Sequence, residues 1–509
     1  MTRHGLLTLI FAFLSAALLN AQEVRLFGER DITGTARYSG MAGAMAAVGA
    51  DPSAVLDNPA GLGLYHRMEV SLTLREVLNY DYQLPSPAFA DLTKDGSKKQ
   101  RQFVSTFQLP QASMVFSLEN QGGGAMKYCN FMISYNRLQS FNRSALASGF
   151  NQPSISNLMI DQIDRTGLDI TEDYLGGSKY QSPQTAWLSE VGYWGYMINP
   201  IYEINSNGDT IGFNGWQAAY GIQPETMMNV KESGYVDEFT LNWAGNFFHT
   251  LHIGLGLNIR SLSYTKALTY TEWLNSTDNE QEQLYSYLRQ TGIGVSGTLG
   301  VIYQPTNWLR AGLSVQSPVG INLNTTSYAD LTYYDGYGTQ KQQDLTDYYR
   351  NRQKLSTPLR TTAGLAFIAS DKALFSLQYD YRHDKSILDV HTIKAGAEIV
   401  ALRNLFMNIG YACESEFVPY DKQPIVLLEA NDPRTDADYK QHGTAHYATA
   451  GIGYRGSHVI AQLAYQCRYS QYMMYPFAIS ENFSDWQPDG FKQEAISHRI
   501  VLTLAWHTK

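Results

Sequence analysis

From about Met68 to the end of the chain, apolar and polar residues alternate with a period of two, the mark of strands with one apolar face. In Ala373 to Arg382, Phe375, Leu377, Tyr379 and Tyr381 interleave with Ser376, Gln378, Asp380 and Arg382. Val459 to Tyr469 repeats this, with Leu463, Tyr465 and Tyr469 on one face and Gln462, Gln466 and Arg468 on the other. Fourteen strands are predicted: 68–80, 101–119, 126–139, 225–247, 250–275, 284–304, 308–328, 352–369, 372–384, 388–401, 403–416, 443–456, 458–473 and 494–508. A soluble sandwich also alternates, so the connections decide. Tight links follow the even-numbered strands (120–125, 248–249, 305–307, 370–371, 402 and 457), whereas mostly longer segments follow the odd ones, including 81–100, 140–224, 329–351, 417–442 and 474–493. Short turns at one end and long loops at the other are the two rims of a transmembrane barrel. The predicted fold is all-β, a 14-stranded antiparallel transmembrane β-barrel with both termini at the short-turn rim.

Several strands exceed the ~9 to 11 residues that cross a bilayer, so the barrel should stand proud of the membrane on its outer side. Leu251 to Ile259 alternates cleanly, but beyond Ser261 the apolar parity moves to Leu262 and Tyr264. A bulge or a departure from lipid near Ser261 accounts for this. The last strand carries Ile500, Leu502, Leu504 and Trp506 on one face, the aromatic-ended pattern that barrel-assembly machinery reads, although it overruns to Lys509.

The first 67 residues have other statistics. Arg3 and His4 precede an apolar stretch from Leu6 to Leu19 and the small residue Ala21, a secretory leader with cleavage expected after Ala21. The stretch is too short for the ~20 residues of a spanning helix. Residues 22–67 are rich in Ala and Gly, with helical pieces expected around Gly40 to Val48 and Pro52 to Leu56, where Asp51 can cap and Pro52 takes the first helical position. The domain reading is a signal peptide over 1–21, a small helical hatch over 22–67 that plugs the lumen, and the barrel over 68–509. The long extracellular insertion, 140–224, carries a predicted helix near Ile155 to Ile163 and an aromatic stretch from Trp187 to Tyr202.

Composition narrows the classes. The chain has 38 Lys and Arg against 47 Asp and Glu, a formal net charge of -9 that argues against nucleic acid as a partner. Three cysteines, Cys129, Cys413 and Cys467, form no CxxC and no disulfide framework. The 35 Tyr, 21 Phe and 8 Trp suit aromatic girdles at the lipid interfaces. No GxSxG, HExxH or P-loop occurs, and His442 and His446 have nothing nearby to complete a metal site. The chain therefore reads as no enzyme, with no cofactor and no metal. Inward-facing positions include Arg260, Arg310, Arg360, Asp380, Arg382, Lys394, Glu398, Glu414 and Arg468. Such charges either pair along a solvated wall or contact a ligand carboxylate, for which Arg260, Arg310 and Arg360 are the candidates.

The stretch Ala36 to Gly63, ARYSGMAGAMAAVGADPSAVLDNPAGLG, resembles the plug of the FadL and TodX outer-membrane transporters of hydrophobic compounds, and looks most like the versions found in Bacteroidetes. Its sharpest element is Asn58, Pro59 and Ala60 followed by Gly61. SYNRLQSFN from Ser134, LNWAGNFFHTLHIGLGL from Leu241 and STPLRTTAGLAF from Ser356 extend the resemblance over nearly all of the mature chain.

The resemblance implies a fourteen-stranded barrel with an N-terminal hatch in a Gram-negative outer membrane, surrounded by its lipid. It implies facilitated diffusion of a small hydrophobic ligand, fatty-acid-like or aromatic, which leaves after a hatch change or through an opening at a kinked third strand. Asn58, Pro59 and Ala60 become the hatch motif, either a stabilising turn or a gate. Lys127 to Leu138 departs from the family pattern by containing neither Gly nor Pro, whereas Pro110 falls inside the second strand, where it removes a ladder hydrogen bond. The alternative is a FadL-like carrier or anchor for secreted proteins of type-nine secretion.

Overall fold

The computed structural model describes residues 23–508 except 25, 85–100, 123, 150–152, 178–179, 181–182, 220–223, 275–279, 336, 338–339, 370–371, 384–388, 416–417, 419–421, 424, 426 and 481–486. The expected leader, 1–21, lies outside the described residues.

One antiparallel barrel is formed by strands β1 Glu69–Gln83, β2 Arg101–Glu119, β3 Met126–Ser140, β4 Glu225–Phe247, β5 Leu251–Trp273 and β6 Gln281–Thr306. Then follow β7, Leu309–Gln316 resuming as Gly320–Tyr334, and β8, Tyr349–Ser356 resuming as Leu359–Ala369. The series ends with β9 Ala373–His383, β10 Val390–Leu402, β11 Leu405–Ser415, β12 Tyr439–Arg455, β13 Val459–Tyr475 and β14 Phe491–His507. The two breaks contain Pro318 and Pro358, which cannot donate to a ladder. β14 pairs with β1 from Glu69 opposite His507 to Gln83 opposite Gln493, which closes the barrel and removes its edges. The three-residue turn between β4 and β5 places Phe248 and His249 at φ 54 and 62, a left-handed pair closed by the Thr250 N–H donating to the Phe247 carbonyl at 3.1 Å.

Alternation is converted into two solvents. Leu255, Leu257 and Ile259 of β5 and Ile293, Val295 and Leu299 of β6 are exposed on the outside, as are Ile500, Leu502, Leu504 and Trp506 of β14. Above Ser261 the ladder between β5 and both neighbours runs on without a register shift. Of the two expected explanations, the bulge is absent there and the departure from lipid accounts for the change of parity. Leu262, Tyr264, Leu268 and Tyr270 now point inward and are buried, while Ser261, Ser263 and Thr265 face out. The outer half of the barrel is thus built like a soluble protein, polar outside and apolar inside.

The segment 23–67 packs against the inner faces of the strands. Residues 23–24 and 26–28 are helical, and there follow α1 Ala36–Gly40, α2 Ala54–Asp57 and a 3-10 helix over Pro59–Leu64. The piece expected over Gly40 to Val48 is a series of turns instead, because Ala42, Gly43, Gly49 and Ala50 take positive φ. Asp51 caps the second piece as expected: its carboxylate accepts from the Ser53 N–H at 2.9 Å and its carbonyl from the Ala54 N–H at 3.1 Å, with Pro52 and Ser53 forming a turn that leads into α2.

The 140–224 insertion begins as strand Arg143–Gly149, which continues beside β4. It then forms α3 Ser156–Arg165, α4 Glu172–Gly177, α5 Trp187–Trp194 and a hairpin of Ile198–Ile204 with Thr210–Ala218. These elements cap the barrel mouth.

Candidate functional site

The hatch sits on dents in the wall. Gly254 pairs with Gly300, Gly312 with Gly364 and Gly396 with Gly410 on neighbouring strands. A Cβ on Gly254 would lie 2.2 Å from the Pro59 carbonyl carbon, and one on Gly300 2.0 Å from Asn58 Oδ1. The other two pairs receive the backbone of Ala46 and Met41 in the same way, at 2.5 Å and 2.4 Å. Asn58 ties the contact together: Oδ1 accepts from the Ala60 N–H at 3.1 Å, while Nδ2 donates to the carbonyls of Ala46 at 2.9 Å and Val301, on β6, at 3.2 Å. Pro59 follows at the first position of the 3-10 helix, where no N–H is needed.

Charge locks the same seat. Arg37 grips Glu398 of β10 with two hydrogen bonds, 2.6 Å and 3.1 Å. Arg30 and the Tyr38 hydroxyl both donate to Asp57, at 2.5 Å and 2.7 Å, and Lys394 pairs with Asp380 at 2.7 Å. Of the three arginines considered for a ligand carboxylate, two are already engaged. Arg260 is held by Glu238 at 2.8 Å, and Arg310 donates to Gln304 at 3.0 Å and to the Val48 carbonyl at 2.9 Å. Arg360 alone of these three has no hydrogen bond or ion pair among the described residues; it lines a small cavity with Arg30 and Arg382.

Above the hatch, the inner faces of β4 to β7 are apolar at two levels. The lower level gathers Leu138, Phe141, Val236, Leu262, Tyr264, Leu288 and Ile321 around the plug residues Val24 and Phe27. Phe27 is fully buried, its ring centroid 6.2 Å from that of Phe141 and 6.0 Å from that of Tyr264, both edge-on. The upper level joins Met228, Leu268, Tyr270, Leu284 and Leu331 to Leu158, Trp187 and Leu188 of the cap.

A polar septum separates the levels. Arg434, from the segment between β11 and β12, reaches Glu23 of the plug at 3.2 Å and Asp436 at 2.9 Å, while Lys266 pairs with Asp436 at 3.1 Å. The same segment accepts from the Trp187 N–H of the cap at the Asp432 carbonyl, 3.1 Å, so cap and plug are linked through it.

The lower level abuts a seam. Between Thr73 and Arg75 the β1 and β2 register shifts, because Leu109 and Pro110 form a bulge opposite Leu74. Pairing of β2 with β3 runs only from Gln111 and Asn136 down to Glu119 and Tyr128. β3 has its own shift at Leu138 and then turns inward. Its continuation crosses the inner face of β1, where Asn79 donates to the Asn142 carbonyl at 2.9 Å and Gln83 to the Ser148 carbonyl at 2.8 Å. The two strands therefore part above Pro110, although β3 contains neither Gly nor Pro. A cavity of about 110 Å³ opens here, lined among others by Asp31, Arg75, Gln108, Gln139, Arg468 and Arg499.

High in the mouth, far above the apolar band, Glu272 and Glu282 stand directly opposite on β5 and β6, both buried. Burial pushes Glu272 up to about 7, opposed by hydrogen bonds from Ser154 and the Ile155 N–H. Burial, and then the neighbouring Glu272, push Glu282 up to about 8. Ile155 N donates to Glu272 at 2.7 Å, which fastens the start of α3 to the wall.

Phe27, Arg434 and the Glu272 and Glu282 pair escaped the sequence reading. A large aromatic isolated in an Ala- and Gly-rich segment was the one signal available for Phe27; the others depend on contacts between distant segments.

No family model and no curated protein matches the sequence. In structure, the chain is similar to a FadL homologue of Pseudomonas aeruginosa, with a TM-score of 0.52 and 12% identity over 94% of this chain and 99% of that one. It is also similar to a deltaS2S3 mutant of TodX, described as a monoaromatic hydrocarbon channel, with a TM-score of 0.50 and 11% identity over 93% of this chain and 99% of that one. The likeness is one of fold.

Proposed function

We propose that this chain, whose fold is that of the FadL and TodX barrels, lets small hydrophobic or amphiphilic molecules diffuse across the outer membrane, with the hatch as plug and the β2 and β3 seam as exit. The observation that carries the reading is the position of Phe27. It occupies an apolar site that the seam adjoins through Leu138 and Phe141. A molecule entering under the cap meets the upper apolar level, passes the septum when Arg434 lets go of Glu23, and takes the place of Phe27. It then leaves sideways into the bilayer past the polar cavity at the seam, lined by Arg75, Gln108 and Gln139, which spares it the charged cluster around Arg37 and Asp57. No energy-coupling element is needed for movement down a gradient. The geometry adds nothing in favour of the secretion-carrier alternative.

Uptake tests the reading. Cells carrying the protein should accumulate a labelled long-chain fatty acid or monoaromatic faster than cells lacking it. The purified barrel should bind the same probe, with Phe27→Ala altering the binding. If neither probe binds and deletion leaves uptake of both unchanged, the transport reading fails.

A further inference from the structure

On the outward surface of β9 to β14 one contact recurs three times. The Tyr379 hydroxyl lies 2.7 Å from His391 Nδ1, that of Tyr411 2.8 Å from His446 Nδ1, and that of Tyr465 2.6 Å from His498 Nδ1. The diagonal is the same in each case. His391 stands opposite Tyr381, His446 opposite Cys413 and His498 opposite Cys467, always two residues beyond the tyrosine that contacts it. The histidines also share a height: each precedes by eight residues an outward position low on its own strand, Ile399, Tyr454 or Trp506. At ~3.3 Å per residue that is roughly 26 Å along the strand and, at a tilt of about 40°, about 20 Å of height, close to the outer edge of an apolar band ~25 Å tall.

The outward chemistry changes at this level. Below it stand Leu377, Ile393, Ile409, Leu463 and Ile500, all exposed. Above it, Tyr381 and His383 contact Asp389 at 2.8 Å and 2.7 Å, and the Tyr469 hydroxyl donates to Glu494 at 2.8 Å. The level therefore coincides with lipid headgroups. A hydroxyl donating to Nδ1 leaves the neutral imidazole proton on Nε2, so His446 and His498 each offer a fixed N–H donor. The rings lie on alternate strands, so at ~4.8 Å per strand they span roughly 19 Å of the wall. That is wider than one phospholipid headgroup, and the carboxylates just above are acceptors suited to sugar hydroxyls.

We propose that this face binds a phosphorylated disaccharide glycolipid of the outer leaflet, the Tyr379 and His391, Tyr411 and His446, and Tyr465 and His498 pairs meeting its headgroup while the apolar positions beneath receive its acyl chains. The inference rests on outer-membrane placement and not on the transport reading. The probe is lipid A in nanodiscs, read by native mass spectrometry beside dephosphorylated lipid A and phosphatidylglycerol. The wild-type barrel should retain lipid A at least tenfold more than either control. H391F/H446F/H498F, which keeps the rings aromatic, should abolish that preference. Heat-modifiable gel mobility reports whether the variant is folded, and H446F alone, with a several-fold loss expected, serves if the triple variant is not. Equal retention of all three lipids by the wild type, or undiminished lipid A retention by the folded variants, would overturn the proposal.

Discussion

Gly300 of β6 faces Asn58 so closely that a methyl group in place of its hydrogen would lie 2.0 Å from Asn58 Oδ1. The Asn58 side chain is thereby seated directly on the wall backbone, and Gly300→Ala should unseat the Asn58 turn. Overpacking of this kind costs about 1–3 kcal/mol. Planar-bilayer recordings should show larger and noisier conductance than the wild type, while far-UV spectra stay those of a barrel. Unchanged conductance would mean that the seat does not hold the plug.

Phe27→Ala should lower unfolding stability by about 3–5 kcal/mol, the usual cost of emptying an aromatic core site. The same substitution removes the competitor for the apolar site. A fluorescent fatty acid is therefore expected to bind more tightly, by tenfold in order of magnitude, in a titration at fixed detergent. Weaker binding would place the ligand elsewhere.

Pro110→Ala restores a backbone donor at the bulge. If the seam is the exit, re-pairing β2 with β3 slows uptake while equilibrium binding of the probe is kept. Uptake at the wild-type rate, with the variant folded, would show that molecules leave by another route.

The Glu272 and Glu282 pair sets a pH dependence for the cap. Both carboxyls titrate higher in the fold, about 7 and about 8, than their ordinary value of 4.5. Between those limits the folded state binds more protons than the unfolded one, so the contribution is fully present below about 4.5 and is lost as pH climbs through about 8. Limited proteolysis within 150–224 should accelerate from pH 5 to pH 8, and Glu282→Gln should flatten that dependence. A rate that falls with pH would refute the assignment.

The strands were legible because each alternates over most of its length, and the fourteen spans agree with the ladder to within six residues. The turn at Asn58 was legible because a short polar side chain before proline is a local device. The β3 departure was not. Its cause lies in Leu109 and Pro110 of the neighbouring strand, and its destination, the inner face of β1, is set by Asn79 and Gln83. The idleness of Arg260 and Arg310 toward a ligand was equally hidden, since Glu238 and the Val48 carbonyl come from other segments.

The exchange of faces at Ser261 fixes more than the height of the membrane. A slip of one residue turns every side chain of a strand to the other side. Below Ser261 such a slip would turn Leu255, Leu257 and Ile259 into the polar lumen; above it, Leu262 and Tyr264 would be turned out to water. Lipid and water, reading opposite faces of one strand, thus reject the same error, and β5 has its alignment checked twice along a single uninterrupted ladder.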